Sequence, residues 1–135
     1  MAPACPKPTY KKRETKRKAP KELIPLEETE QKTVIDWLKW HNILFSATVP
    51  DRRYCNRMGY VPGVPDLMIY DKPPKVIEGF QFVGCAIELK RVKGGIVSPE
   101  QTEWLEKLTE SGWACRVCYG ADEAIKFLEY LEYGK

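Results

Sequence analysis

Apolar side chains recur along the chain with two different periods, and each period predicts a different kind of element. LEETEQKTVIDWLKWHN has helical spacing and ends at Asn42, so it predicts the first helix. The helix positions that share one face are Glu27, Gln31, Val34, Ile35 and Leu38. The runs ILFSATV, DLMIYD, FVGCAIELKR and WACRVCYG are short and apolar, which predicts four strands.

The remaining stretches predict loops and two further helices. PDRRYCNRMGYVPG (50–63) is typical of a long basic loop, KPPKVIEGF of a hairpin-like connection, and VKGGIV of a glycine loop. SPEQTEWLEKLTESG predicts a helix with Ser98 as its N-cap, Pro99 in its first position and Gly112 as its stop. ADEAIKFLEYLEYGK predicts a final helix.

The order of these elements is one helix, three strands, a helix, a strand and a helix. It predicts an α/β fold in which a mixed sheet is flanked by helices. The third and fourth strands should be parallel, because a helix connects them. The glycine loop then lies at the carboxyl end of a strand, where active sites of such sheets are commonly found.

Charge divides the chain into two parts. Residues 1–21 hold eight Lys/Arg and one Glu, a net charge of +7, whereas the other 114 residues hold 14 Lys/Arg and 18 Asp/Glu, a net charge of −4. The first part has little to bury, so we expect a disordered basic arm that contacts nucleic acid; a localisation signal is the alternative. Residues 22–135 are expected to form one domain.

Composition excludes several classes of protein. No apolar run approaches the roughly 20 residues of a membrane span, and no secretory signal is recognisable, so we expect an intracellular protein without a membrane partner. The five cysteines lack the spacing of a disulfide framework and are expected to be free thiols. Cys115 and Cys118 lie three apart on a strand and therefore on opposite faces, and His41 is the single histidine, so common zinc and HNH-type sites are excluded.

The candidate chemistry lies at two strand ends. Strand alternation places Glu88 and Lys90 on one face, and Asp66 begins the apolar run DLMIY. If the strands are neighbours, the two carboxylates repel each other unless a cation lies between them, and oxygen ligands suit Mg²⁺ or Mn²⁺. The backbone carbonyl of Leu89 can face the same ion, and Lys90 can offset charge at a phosphate under attack.

Another interpretation of the same residues involves no chemistry. Asp66 follows Pro65 and suits a turn, and Glu88 and Lys90 suit an exposed ion pair of little energetic value. The ordered set favours a site: GVPD before one strand, an apolar run into Glu88, and SPEQ at the start of the next helix.

GVPDLMIY, AIELKR and GGIVSPEQTEWLEKLTESG resemble the VRR-NUC (virus-type replication-repair nuclease) family of the PD-(D/E)XK nuclease superfamily. The resemblance extends from about Glu27 to Glu123, and it implies the restriction-endonuclease-like αβββαβ core with an added C-terminal helix. It implies that Asp66 and Glu88 are metal ligands and that Lys90 is the catalytic lysine.

The resemblance also implies two accessory residues. Gln101 of SPEQ reaches the site from its helix, and an acidic residue of the first helix approaches the metal. Glu27 is the first choice for that residue because it continues the sheet-facing stripe, and Glu30 is the second. Further residues are predicted to contact DNA: Arg52, Arg53, Tyr54, Arg57, Lys93 and Ser98.

The resemblance is closest to standalone, phage-type members, which are similar to Holliday-junction resolvases. It implies a Mg²⁺- or Mn²⁺-dependent endonuclease that cuts four-way junctions as a homodimer, in the bacterial cytoplasm if phage-encoded. The alternatives are a nuclease that nicks flaps or other branched DNA, a restriction-like nuclease, and a non-catalytic DNA-binding module. Apolar residues of the last helix supply either a dimer surface or monomer core: Phe127, Leu128, Tyr130, Leu131 and Tyr133.

Overall fold

The computed structural model describes residues 27–48 and 61–135, and the structural statements below concern these residues. They form three helices and six strands: α1 Glu27–Trp40, β1 Phe45–Ala47, β2 Leu67–Ile69, β3 Val76–Ile77, β4 Phe80–Gln81, β5 Cys85–Lys90, α2 Pro99–Glu110, β6 Ala114–Tyr119 and α3 Ala121–Tyr130. None of these helices is long and apolar enough to cross a membrane.

The main sheet has four strands in the order β1-β2-β5-β6. Its pairs are antiparallel except β5 and β6, which α2 connects and which run parallel, as predicted from the sequence. β3 and β4 form a separate hairpin whose turn contains Glu78 at φ 48° and Gly79 at φ 78°. The pattern predicted this region only as a hairpin-like connection, because each strand has just two residues.

The hydrophobic core lies between the sheet and the pair α1 and α3. Val34 and Leu38 of α1 and Leu128 of α3 are fully buried against Ile87 and Leu89 of β5. α2 contacts β5 and β6 and has no fully buried residue of its own. Glu88 and Lys90 alternate with the core residues of β5 and therefore face the α2 side. Both are nevertheless buried, at 1% and 7% exposure.

The C-terminal segment buries most of the apolar residues that suggested a dimer surface. Leu128, Leu131 and Tyr133 are buried, and Phe127 packs against the core. Tyr133 also donates its hydroxyl to the backbone carbonyl of Asp71 at 2.6 Å. Of the five, Tyr130 alone is largely exposed. The second interpretation, burial within the monomer, therefore describes this segment.

The described cysteines are free thiols, and the histidine packs against a neighbouring aromatic ring. Cys85 and Cys118 are buried and Cys115 is half-buried, all as free thiols, whereas Cys5 and Cys55 lie outside the described residues. His41 follows the end of α1 and its ring packs on Trp37, with 4.2 Å between the ring centroids.

Candidate active site

Strand pairing brings Asp66 and Glu88 together. Leu67 of β2 is paired with Ile87 of β5, so the next position in the same register places Asp66 opposite Glu88. Directly opposed residues of an antiparallel pair lie on one face, and their Cβ atoms are about 5 Å apart. Asp66 is also held by its Oδ2, which accepts the backbone N–H of Leu89 at 2.8 Å. The sequence motifs thus meet where β2 begins and β5 ends.

Pro65 leaves the carbonyl of Leu89 without the backbone donor that the strand register would otherwise supply. The N–H and C=O of one strand residue point to the same side, so the Leu89 carbonyl faces β2 together with its N–H. The partner in that register would be Pro65, which has no N–H to donate. The carbonyl therefore lies beside the carboxylates without a donor from Pro65, as its predicted role requires.

The first helix contributes Glu27. One carboxylate oxygen from each of Glu27, Asp66 and Glu88 lies within 4.8 Å of the others. Glu30 points elsewhere: its Oε2 accepts the backbone N–H of Ala121 at 2.5 Å and so caps the start of α3. Of the two glutamates that the sequence left open, Glu27 is the one that reaches the cluster.

Glu88 has two unlike carboxylate oxygens. Its Oε1 accepts Gln101 Nε2 at 2.5 Å and pairs with Lys90 Nζ at 3.1 Å. Its Oε2 is buried and, within the described part of the chain, has no hydrogen-bond partner. A buried carboxylate oxygen without a partner is costly, and a cation among three carboxylates would satisfy it. The residues therefore fit a divalent cation with oxygen ligands, such as Mg²⁺ or Mn²⁺.

The pKa values of Glu88 and Asp66 are both raised, and burial is the main cause for each. Burial, followed by the charge of Asp66, raises the pKa of Glu88 to about 7 despite the neighbouring Lys90. Burial also raises the pKa of Asp66, and the charge of Glu27 adds to this, whereas the Leu89 N–H opposes it. Without a cation, the ionised forms are disfavoured at this point.

Gln101 is positioned by the start of α2. Ser98 is the N-cap, and it forms a capping box with Gln101, the third residue of the helix. The glycine of GVPD allows its segment to pass close to this end of the helix. Gly63 has φ +91°, and a Cβ there would lie 2.5 Å from the carbonyl carbon of Glu100. A Cβ on Gly95 would similarly lie 2.7 Å from the Cβ of Lys90. Sequence reasoning missed both contacts, although both glycines flank the motifs.

An open groove of about 860 Å³ leads from the carboxylates along the first two turns of α1. It is lined by Glu27, Glu28, Thr29, Gln31, Lys32, Ile35 and Asp66. Considering only residues 27–48 and 61–135, the carboxylate cluster therefore adjoins this groove on one side, although Glu88 itself is buried.

Comparison with known proteins agrees with these motifs. The sequence profile of the VRR-NUC domain matches residues 51–122, more than half of the chain. The chain belongs to the VRR-NUC family. A solved structure named "VRR_NUC domain protein" is similar to this VRR-NUC domain, with a TM-score of 0.62 and 27% sequence identity over 82% of this chain and 90% of that chain. No curated protein matches the sequence.

Family membership confirms the predicted resemblance and the PD-(D/E)XK-like core, and it implies a nuclease that acts on DNA. The predicted DNA contacts of this VRR-NUC domain are only partly described. Lys93 is exposed on the loop after β5, and Ser98 is half-buried, with its hydroxyl engaged in the helix cap. The remaining four lie outside the described residues: Arg52, Arg53, Tyr54 and Arg57. Their DNA contacts stay predictions.

Proposed function

We propose that this VRR-NUC domain is a divalent-metal-dependent endonuclease that hydrolyses phosphodiester bonds in DNA. The observation that carries the proposal is the meeting of Glu27, Asp66 and Glu88 within 4.8 Å, with the Lys90 ammonium 3.1 Å from Glu88. Three carboxylates in one place repel each other, and a cation removes that repulsion.

Each residue of the site has a distinct proposed role. Asp66, Glu88 and the Leu89 carbonyl hold Mg²⁺ or Mn²⁺, and Glu27 approaches from α1. The bound cation supplies Lewis acidity toward a phosphate oxygen and lowers the pKa of a bound water. Lys90, fixed by Glu88, offsets the negative charge that develops on the phosphate during attack. Gln101 holds Glu88 through the same oxygen, Oε1, from the start of α2.

We further propose that the substrate is a four-way junction and that two copies of the chain cut it. One chain presents one such centre, and resolution of a junction requires two nicks, which a two-fold dimer would place symmetrically. The dimer contact must lie outside the buried part of the C-terminal segment, since Leu128, Leu131 and Tyr133 are core residues. That burial also favours a second candidate function, a monomeric nuclease that nicks flaps or other branches.

A panel of labelled linear, flap, splayed and four-way DNA substrates tests these proposals, with Mg²⁺, with Mn²⁺ and with EDTA. We expect cleavage only with a divalent cation and the highest rate on the four-way junction. Light scattering with and without junction DNA measures whether the chain is a monomer or a dimer. A cruciform plasmid distinguishes paired nicks, which give linear product, from single nicks, which give nicked circles. A monomeric mass together with nicked circles that never become linear would leave the nicking nuclease; equal cleavage in EDTA would overturn the metal-dependent reaction.

A further inference from the structure

The start of α2 carries a reciprocal pair of hydrogen bonds that extends into the site. Ser98 Oγ accepts the backbone N–H of Gln101 at 3.2 Å, and Gln101 Oε1 accepts the backbone N–H of Ser98 at 2.9 Å. Such a capping box satisfies two backbone donors that the first turn of a helix leaves without partners. Here the Gln101 side chain has a third hydrogen bond, to Glu88.

The cap decides which way the Gln101 amide faces. A glutamine amide has one accepting oxygen and one donating nitrogen. Because the oxygen is used by the Ser98 N–H, the nitrogen is directed at Glu88 Oε1, 2.5 Å away. A reversed amide would lose the cap bond and place its oxygen against a carboxylate oxygen. The helix cap and the contact with Glu88 therefore require the same orientation.

This orientation separates the two oxygens of Glu88. Gln101 and Lys90 both bind Oε1, so Oε2 is left buried without a partner among the described residues. The protein thus occupies one oxygen and leaves the other for a ligand in the carboxylate cluster. Groups that orient a metal ligand through a hydrogen bond contribute to metal affinity even though they do not touch the metal.

We propose that the capping box of Ser98 and Gln101 positions the cation site. The Ser98 hydroxyl holds the backbone of Gln101, the Ser98 backbone N–H orients the Gln101 amide, and the amide holds Glu88 so that Oε2 faces the cation. The inference rests on the proposed function in that it requires a divalent cation at Glu88. Ser98 and Gln101 are positioning residues in this arrangement, and Ser98 acts only through Gln101.

Mn²⁺ binding to the full chain without DNA tests the proposal, measured by the electron paramagnetic resonance signal of free Mn²⁺. Omitting DNA removes any contribution of Ser98 to DNA contact. Ser98→Ala removes the hydroxyl that accepts the Gln101 backbone N–H, although the backbone N–H that binds the Gln101 amide oxygen remains. Gln101 is then held less firmly, and we expect Mn²⁺ binding to weaken by about tenfold, the lower end of the range for groups that orient a metal ligand. Ser98→Thr keeps the accepting hydroxyl and should restore the affinity.

Gly112→Ala is the matched control for loss of helix stability. Gly112 follows the other end of α2 at φ +92°, so alanine is strained there, but the added Cβ meets nothing closer than 3.6 Å. We expect Gly112→Ala to lower the melting temperature at least as much as Ser98→Ala while leaving the Mn²⁺ affinity of the parent. That contrast separates positioning from general destabilisation.

A double-mutant cycle tests whether Ser98 acts through Gln101. In a Gln101→Leu background the amide is gone, so Ser98→Ala should no longer change Mn²⁺ affinity. An affinity loss that is the same in both backgrounds, a Ser98→Ala variant that binds as the parent does, or an equal loss in Gly112→Ala would each overturn this inference alone. A parent chain that binds no Mn²⁺ would overturn the proposed function and this inference with it.

Discussion

Asp66 and Leu89 are joined by a hydrogen bond of 2.8 Å from the Leu89 backbone N–H to the Asp66 carboxylate. The bond continues the pairing of β2 and β5 beyond their last ladder residues, at a position where Pro65 interrupts the backbone pattern. Asp66 thus has a structural partner as well as a place in the carboxylate cluster. The two roles differ in what they require, since the bond needs an acceptor and the cluster needs a charge.

Asp66→Asn separates these two roles. Asparagine keeps an oxygen that can accept the Leu89 N–H, but it removes a charge that Glu27 and Glu88 repel. We expect metal-free Asp66→Asn to melt at the parent temperature or above it, and its cleavage rate to fall by about 10³-fold, which is typical of losing a major electrostatic contribution. Thermal unfolding in EDTA and single-turnover cleavage in Mg²⁺ measure the two effects.

Asp71→Asn is the matched control for that variant. The Asp71 carboxylate also accepts a backbone N–H, that of Leu44 at 2.9 Å, but it lies beyond the other end of β2. Its cleavage rate should equal that of the parent. Parent-like cleavage by Asp66→Asn as well would show that the site has been assigned to the wrong residues.

The stability of the metal-free protein should depend on pH. Burial and Asp66 raise the pKa of Glu88 from 4.5 to about 7 in the folded state, and the pKa of Asp66 is raised as well. The folded state then binds more protons than the unfolded state over this window, so the free energy of unfolding falls as pH rises through it. Urea unfolding in EDTA at about pH 5 and about pH 8 tests the sign.

Two comparisons attribute that pH dependence to the carboxylate cluster. Glu88→Gln has no titrating group at this position and should flatten the dependence. Mg²⁺ favours the ionised carboxylates and should raise stability most at the higher pH. If the free energy of unfolding of the metal-free parent rises when the pH is raised from about 5 to about 8, the prediction is contradicted.

Strand alternation was sufficient to predict which side chains of β5 share a face, whereas the pairing of β2 with β5, which brings Asp66 to Glu88, was only a condition of the predicted site. Glu88 and Lys90 had to share a face, and the helix joining β5 to β6 required those two strands to be parallel. The cap signature SPEQ likewise predicted where α2 begins. These predictions succeeded because each depends on local geometry of only a few residues.

Helical periodicity gave Glu27 as the first choice over Glu30, but it could not exclude Glu30. Both lie within one turn of α1, and the difference comes from Ala121, which is 91 positions away in sequence from Glu30 and donates its N–H to that residue. The burial of Leu131 and Tyr133 could not be predicted from the sequence for a related reason. They follow the end of α3 and bury themselves by a turn with Glu132 at φ 68°, so helical periodicity does not apply to them.

Deleting residues 1–21 should weaken DNA binding and reduce its dependence on salt. The segment carries a net charge of +7, and each phosphate contact contributes about 0.9 to the slope of log affinity against log salt on duplex DNA. Fluorescence anisotropy between about 50 and about 200 mM salt measures the slope. The melting temperature serves as the control for folding and should not change, and an unchanged slope would assign the segment to localisation instead.

Gly63→Ala should damage the site without touching any of its charged residues. Gly63 has φ +91°, and a Cβ there would lie 2.5 Å from the carbonyl carbon of Glu100 and 2.9 Å from the backbone nitrogen of Gln101. These are backbone atoms of the first turn of α2, so they can yield only if the start of the helix moves. Such a movement takes Gln101 away from Glu88, which it contacts at 2.5 Å.

Gly79→Ala supplies the matched control, because it shares the backbone conformation and lacks the contact. Gly79 has φ +78°, and an added Cβ there meets nothing within 4 Å. The Gly79→Ala variant should be destabilised only by the left-handed conformation of its alanine, roughly 1–2 kcal/mol, and should keep the parent cleavage rate. We expect Gly63→Ala to lose more stability than this and to cleave at least tenfold more slowly, as is typical when an outer contact of a metal ligand is lost. Urea unfolding and single-turnover cleavage of both variants measure the stability and the cleavage rate. If the two variants lose equal stability and Gly63→Ala cleaves at the parent rate, the close approach of Gly63 to α2 does not position Gln101.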